Sequence, residues 1–98
     1  MHVISKKKIT DFIERYPDSE SSLLSWYSII KTENFSDLSE LRNWFPNADL
    51  VGRRTVFNIG GIKYRMITRV NFVSRRIFIL FILTHSEYSK DKWKKDGK

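Results

Sequence analysis

Apolar residues recur at helical spacing up to Phe45 and at alternating spacing afterwards, so the chain reads as helices followed by strands. Val3 and Ile4 predict a short first strand, after which Ser5 offers a side-chain oxygen to cap a helix. Ile9, Phe12, Ile13 and Tyr16 occupy one face of that helix, and Pro17 ends it. Asp18 is expected to cap a second helix with the stripe Leu23, Trp26, Tyr27 and Ile30, its carboxylate and that of Glu20 lying where the helix dipole favours negative charge. Ser36 is expected to cap a third, shorter helix carrying Leu38, Leu41 and Phe45, which Pro46 stops.

Beyond Asn47-Ala48-Asp49 the pattern becomes extended. Arg54 to Ile59 is rich in β-branched and aromatic residues, Gly60-Gly61 forms a two-residue turn, and Ile62 to Phe72 is a second extended run, which together predict a hairpin. A third run, Ile77 to Leu83, is apolar on both faces, as expected of a strand covered on both sides. Residues 90–98 are lysine-rich around Trp93 and read as a frayed terminal helix or basic tail. With no repeat and no linker, residues 1–98 are expected to form a single α+β domain, its N-terminal helices packed on one face of a small, mainly antiparallel sheet.

Composition narrows the function. A hydrophobic fraction of 41% with 14% aromatics supplies a core, and the absence of cysteine excludes a disulfide scaffold, a thiol nucleophile and a cysteine-rich zinc site. Two histidines argue against an all-histidine metal site. The longest apolar run has seven residues, whereas a spanning helix needs about 20. Met1-His2-Val3-Ile4-Ser5 followed by three lysines lacks the apolar core of a secretory signal, so the expectation is a cytoplasmic protein without a membrane partner.

Net charge is +7, but it is unevenly placed. Residues 1–49 hold six Lys and Arg against eight acids, a balance of −2, whereas residues 50–98 hold twelve against three, a balance of +9. Such a field attracts polyanions. A two-residue turn at Gly60-Gly61 pairs Ile59 with Ile62, Asn58 with Lys63, Phe57 with Tyr64 and Val56 with Arg65. Alternation then places Phe57, Ile59, Ile62, Tyr64, Met66 and Val70 towards the helices, and Asn58, Lys63, Arg65 and Arg69 on the opposite face, broken by Val56 and Ile67. Cations about 7 Å apart along a strand suit successive phosphates. The same row equally describes a sheet face charged for solubility.

Past the third run lies Thr84-His85-Ser86-Glu87-Tyr88. Histidine is the residue type suited to proton transfer near neutral pH, although a lone histidine at a strand end is more often structural or merely exposed. Tyr88 could stack a base or contact a phosphate, or else pack the tail onto the domain. Glu87 is the weakest candidate and could supply only an early-helix carboxylate. Lys63, Arg65, Arg69, His85 and Tyr88 together make a set that metal-independent RNA cleavage could use: a base deprotonates the ribose 2′-hydroxyl, the oxygen attacks phosphorus, cations stabilise the added charge, and an acid protonates the leaving 5′-oxygen. Glu87 and Asp91 are too few for a two-metal centre, and no cofactor is implied.

Met1-His2-Val3-Ile4-Ser5, Asp49-Leu50-Val51-Gly52, the run from Val56 to Arg65 and Leu83-Thr84-His85-Ser86-Glu87-Tyr88 together resemble the HigB family of toxins, within the RelE-like superfamily of type II toxin-antitoxin systems. The resemblance runs from residue 1 to about residue 93 in the family's order and spacing. It implies a RelE-like α+β toxin, an endoribonuclease that cuts mRNA on the translating ribosome. It further implies neutralisation by a HigA-type helix-turn-helix antitoxin and contact with operator DNA only through that antitoxin. By the same resemblance Arg65, next to Tyr64, supports the transition state, Lys63, Arg69 and Asn58 bind RNA, and His85 and Tyr88 share the acid, base or stacking roles. Ser89 stands where many members have aspartate, which puts the orientation of His85 or Tyr88 in question. The rival reading is a non-catalytic RNA- or ribosome-binding module, including an inactive toxin copy, which the +9 half would serve equally well. A DNA-binding regulator fits less, because none of the predicted helices carries a basic cluster suited to a recognition helix.

Overall fold

A computed structural model describes residues 1–94. The elements are β1 (His2–Ile4), α1 (Lys6–Arg15), a 3₁₀ turn at Pro17–Ser19, α2 (Glu20–Thr32), α3 (Leu38–Trp44), β2 (Asp49–Val51), β3 (Arg54–Ile59), β4 (Tyr64–Asn71), β5 (Arg76–Thr84), α4 (His85–Ser89) and a second 3₁₀ turn at Lys92–Lys94. The five strands form one sheet in the order β1-β5-β4-β3-β2, antiparallel except for the parallel β1–β5 pair. This is the predicted α+β architecture with one unforeseen strand, β2, which pairs Asp49 to Val51 with Val56 to Arg54. Three residues with Leu50 and Val51 as their apolar content are too short to register as a period.

Helices cover one sheet face. Ile9 and Phe12 of α1, Leu23, Trp26 and Ile30 of α2, and Leu41 of α3 bury against Phe57, Ile59, Tyr64, Met66, Ile77 and Ile79. Burying each large apolar side chain contributes about 1.5 to 3 kcal/mol, so this layer supplies most of the hydrophobic stabilisation. A second, smaller cluster occupies the other face, where Val56, Ile67 and Trp93 are buried and Val51, Phe81, Leu83 and Tyr88 pack around them. Trp93 therefore docks the C-terminal segment onto the sheet instead of fraying; residues 95–98 of the predicted tail lie outside the described residues.

Three capping expectations are corrected. Ser5 precedes α1 in a left-handed conformation with φ 77° and makes no side-chain cap, so its carbonyl, not its hydroxyl, takes the Lys8 amide. Asp18 lies inside the first 3₁₀ turn instead of capping α2, and its carboxylate serves a distant pair of residues described below. Asp37, not Ser36, caps α3 by accepting from the Glu40 amide at 2.9 Å, while the Ser36 amide donates to the Glu40 carboxylate.

The hairpin turn also differs. Gly60 to Lys63 forms a four-residue connection, so Ile59 pairs with Tyr64, Asn58 with Arg65, Phe57 with Met66 and Val56 with Ile67. The register is displaced by two residues from the two-residue turn, and because side chains alternate with period 2 the face assignment of β4 survives. Gly60 and Gly61 have φ of 63° and 69°, left-handed values that glycine adopts without strain. In β5 the ladder skips Leu80, since Ile67 pairs with Phe81 and Thr68 with Ile79. That bulge lets Ile77, Ile79 and Ile82 reach the helix-side core while Phe81 and Leu83 join the second cluster.

Candidate functional site at the end of the hairpin

Of the predicted residues, Asn58, Arg65, His85 and Tyr88 come together where β4 begins and β5 ends. Across the sheet, Asn58, Arg65 and Leu83 form one cross-strand row, with Tyr64 opposite Thr84 in the next. The His85 amide then donates to the Lys63 carbonyl at 3.0 Å, extending the ladder one step past β5. Arg65 and His85 are thus brought to one end of the sheet by main-chain pairing.

Thr84 turns strand into helix. Its side chain accepts from the Glu87 amide at 3.2 Å while the Glu87 carboxylate accepts from the Thr84 amide at 2.9 Å, a reciprocal capping box. Glu87 is thereby explained as a cap, the modest role its position suggested. The cap fixes α4, so Tyr88 projects back over the sheet with the Arg65 guanidinium carbon 5.5 Å from its ring centre. Trp93 stacks on the same ring at 5.2 Å between centroids and 14° between planes, and its indole N–H donates to the Tyr88 carbonyl at 3.0 Å. Arg65, half-buried, donates to the carbonyls of Ile62 and Tyr64, both at 3.1 Å, which anchors the guanidinium at the hairpin end.

His85 itself is exposed, and the Ser89 hydroxyl donates to its carbonyl at 2.9 Å. Ser89 therefore holds the backbone of His85 and supplies no carboxylate to its ring.

Lys63 departs from the expected row. It lies in the turn before β4, and its ammonium donates to Asp18 at 2.7 Å instead of joining Arg65 and Arg69 on the open face. The Tyr64 hydroxyl donates to the same carboxylate at 2.8 and 2.9 Å, and its ring packs against Phe12 and Tyr16. The hydrogen bonds from Lys63 and then Tyr64 hold the Asp18 carboxyl below its ordinary range, and the bond to Asp18 raises the Tyr64 phenol. Asp18 thus clamps the turn whose Lys63 carbonyl holds His85. No sequence pattern announces a contact between a residue after a proline and a turn 45 positions away.

Arg69 is exposed on β4 opposite Phe78, on the same face as Arg65 with Ile67 between them. Asn58 is half-buried opposite Arg65. Arg54, one of the cations behind the +9 balance, is buried: it donates to the Trp93 carbonyl and lies over the Phe81 and Trp93 rings, each 5.9 Å from the guanidinium carbon. Its partner Trp93, which the sequence pattern left in the tail, packs behind the candidate site. A tryptophan within a lysine-rich stretch was the available signal, because so large an apolar surface is seldom left in water.

The site is therefore a cationic and aromatic corner: Arg65 fixed over Tyr88, Tyr88 backed by Trp93, and a histidine two ladder rows from Arg65. It offers a fixed positive charge, a titratable ring and a phenol, the groups needed to stabilise and shuttle protons about a phosphodiester.

Comparisons with known proteins identify the family. The profile of the HigB toxin family, described as the RelE-like toxic component of a toxin-antitoxin system, matches residues 19–91. The "mRNA interferase HigB" of Escherichia coli O6:H1 is 39% identical over 93 residues, covering 92% of this chain and 90% of the relative. The "mRNA interferase toxin HigB" of Escherichia coli K12 is 32% identical over 91 residues, covering 90% of this chain and 88% of the relative.

Proposed function

The chain belongs to the HigB family of RelE-like toxins, and from that premise we propose that it is an endoribonuclease that cuts mRNA by attack of a ribose 2′-hydroxyl on the adjacent phosphate. The attacking oxygen loses its proton to a base, the P–O5′ bond breaks, the 5′-oxygen takes a proton, and a 2′,3′-cyclic phosphate remains. Arg65 stabilises the charge that builds on the phosphoryl oxygens. His85 and Tyr88 move the protons or stack the flanking base, with side chains of the protein supplying the acid and base in place of a metal. Lys63, Arg69 and Asn58 bind the RNA, Lys63 once its ammonium exchanges Asp18 for phosphate.

The observation that carries this reading is the Arg65–Tyr88 pair, set beside His85 by strand pairing and a capping box. The relatives' name, mRNA interferase, supports the same chemistry. We extend the proposal to cleavage on the translating ribosome in the cytoplasm, neutralisation by a HigA-type helix-turn-helix antitoxin, and access to operator DNA only through that partner. Expression without antitoxin should arrest growth and cut transcripts. Arg65→Ala should lose both effects while remaining folded, with cleavage slowed about 10²- to 10³-fold, the usual cost of removing one charge-stabilising donor. Full toxicity in that variant would remove Arg65 from the mechanism.

The second reading, a non-catalytic RNA- or ribosome-binding module, is favoured by one observation: Ser89 bonds the His85 backbone and leaves its ring without a carboxylate partner from that position. Ribosome binding with a steep salt dependence and no message cut in a translating extract would select it.

A further inference from the structure

The other end of the basic face carries a feature that neither apolar cluster absorbs. Phe78 and Leu80 belong to neither of them. Both line a groove of about 670 Å³ together with Arg53 and Arg69. Phe78 is half-buried and stands directly opposite Arg69 on the sheet face that also bears Arg65. Leu80 is the residue the β5 ladder skips, and it lines the groove beside Phe78. Arg53 and Arg69 are exposed, and among the described residues they enter no ion pair and no acid lines the groove.

An aromatic ring left out of the core, between two unpaired cations, has the chemistry that binds an unstacked base with its phosphates. Duplex nucleic acid would hide its bases from such a ring, so a single strand is the fitting ligand. Arg65 and Arg69 are four residues apart on β4, about 13 Å along the strand, which places the groove at a neighbouring nucleotide and not at the phosphate being cut. We infer that the Phe78 groove holds one base of a single-stranded RNA, stacked on the Phe78 ring, with Arg53 and Arg69 neutralising its flanking phosphates. The inference rests on the RNA-cutting reading given above, and it adds Phe78 and Arg53 to the residues that read the substrate.

The test is fluorescence-anisotropy titration with a short single-stranded RNA carrying 2′-O-methyl riboses, which lacks the attacking hydroxyl, and one 2-aminopurine whose fluorescence is quenched on stacking. Phe78→Leu, which keeps the apolar volume, should weaken binding about tenfold and reduce the quenching, whereas Phe78→Trp should retain both. Arg53→Ala and Arg69→Ala should each lower the slope of log affinity against log salt by about 0.7, the value for one phosphate contact on a single strand. Thermal melts establish that each variant is folded. Wild-type affinity and quenching in Phe78→Leu would overturn the inference while leaving the RNA-cutting reading in place, provided the wild type still cuts message in a translating extract. A Phe78→Leu protein that binds RNA normally but loses affinity for a protein partner would make the groove a protein interface and equally overturn it. Failure of the wild type both to bind this RNA and to cut message would overturn the inference together with the reading beneath it.

Discussion

Replacing Trp93 by alanine tests whether the C-terminal segment builds the site or merely follows it. The indole is 3% exposed, packs on Val56 and Ile67, stacks on Tyr88, donates to the Tyr88 carbonyl at 3.0 Å, and its residue's carbonyl accepts from buried Arg54. Truncating a buried tryptophan to alanine costs about 3 to 5 kcal/mol. The lower end applies here, because the cluster has only three buried members and the segment can undock on its own, which caps the loss at its docking free energy. A loss of about 3 kcal/mol in a domain near 100 residues lowers Tm by about 12 to 24 °C. Urea unfolding followed by circular dichroism measures it, and hydrogen exchange at the amides of residues 88–94 should accelerate more than exchange in β3 and β4. Cleavage should fall with the docking, since Tyr88 loses the ring behind it; Trp93→Phe should recover much of both. A loss below about 1 kcal/mol would refute the packing argument. Lost stability with unaltered cleavage, measured under folding conditions, would refute the link from Trp93 to Tyr88.

Two further expectations concern the clamps around His85. Because bonds from Lys63 and Tyr64 hold the Asp18 carboxyl below its ordinary value of 3.8, its stabilising effect is complete above that unfolded value and disappears as pH falls through the lower folded one. Wild type should therefore exceed Asp18→Asn in stability at neutral pH, and the two acid-unfolding curves should converge as pH falls below the ordinary carboxylate range; parallel curves would contradict the pairing. Thr84→Ala removes the capping box and should cost about 1 kcal/mol in urea unfolding, lower cleavage with little loss of RNA binding, and be rescued by Thr84→Ser; equal cleavage by Thr84→Ala would show that α4 needs no cap to place His85.

What the amino-acid pattern disclosed followed from periodicity. The two long helices and the shorter α3 announced themselves by Ile9-Phe12-Ile13-Tyr16, Leu23-Trp26-Ile30 and Leu38-Leu41, and β3 by its β-branched and aromatic run from Arg54 to Ile59. The open-face positions of Arg65 and Arg69 survived a wrong turn length only because the displacement was even, which preserves the pleat. Contacts between distant segments stayed hidden. Asp18 looked like a helix cap because its neighbours are helical, and Lys63 looked like a strand cation because its neighbours are extended, yet each is the other's partner. The bulge at Leu80 is equally invisible, since the run from Ile77 to Leu83 is apolar throughout and offers no alternation to interrupt.

The parallel pairing of β1 with β5 sets a condition on synthesis. His2 to Ile4 bond to Arg76 to Phe78, so the first strand made waits for the last, and the sheet that carries Arg65 lacks an edge until most of the chain has left the ribosome. Ordering of this kind is slow, because a long loop must close before the pairing is rewarded. A prematurely ended chain lacking β5 would have neither His85 nor the means to seat β1. The fold therefore couples potency to completion: a toxin built this way gains no active fragment from its own interrupted message.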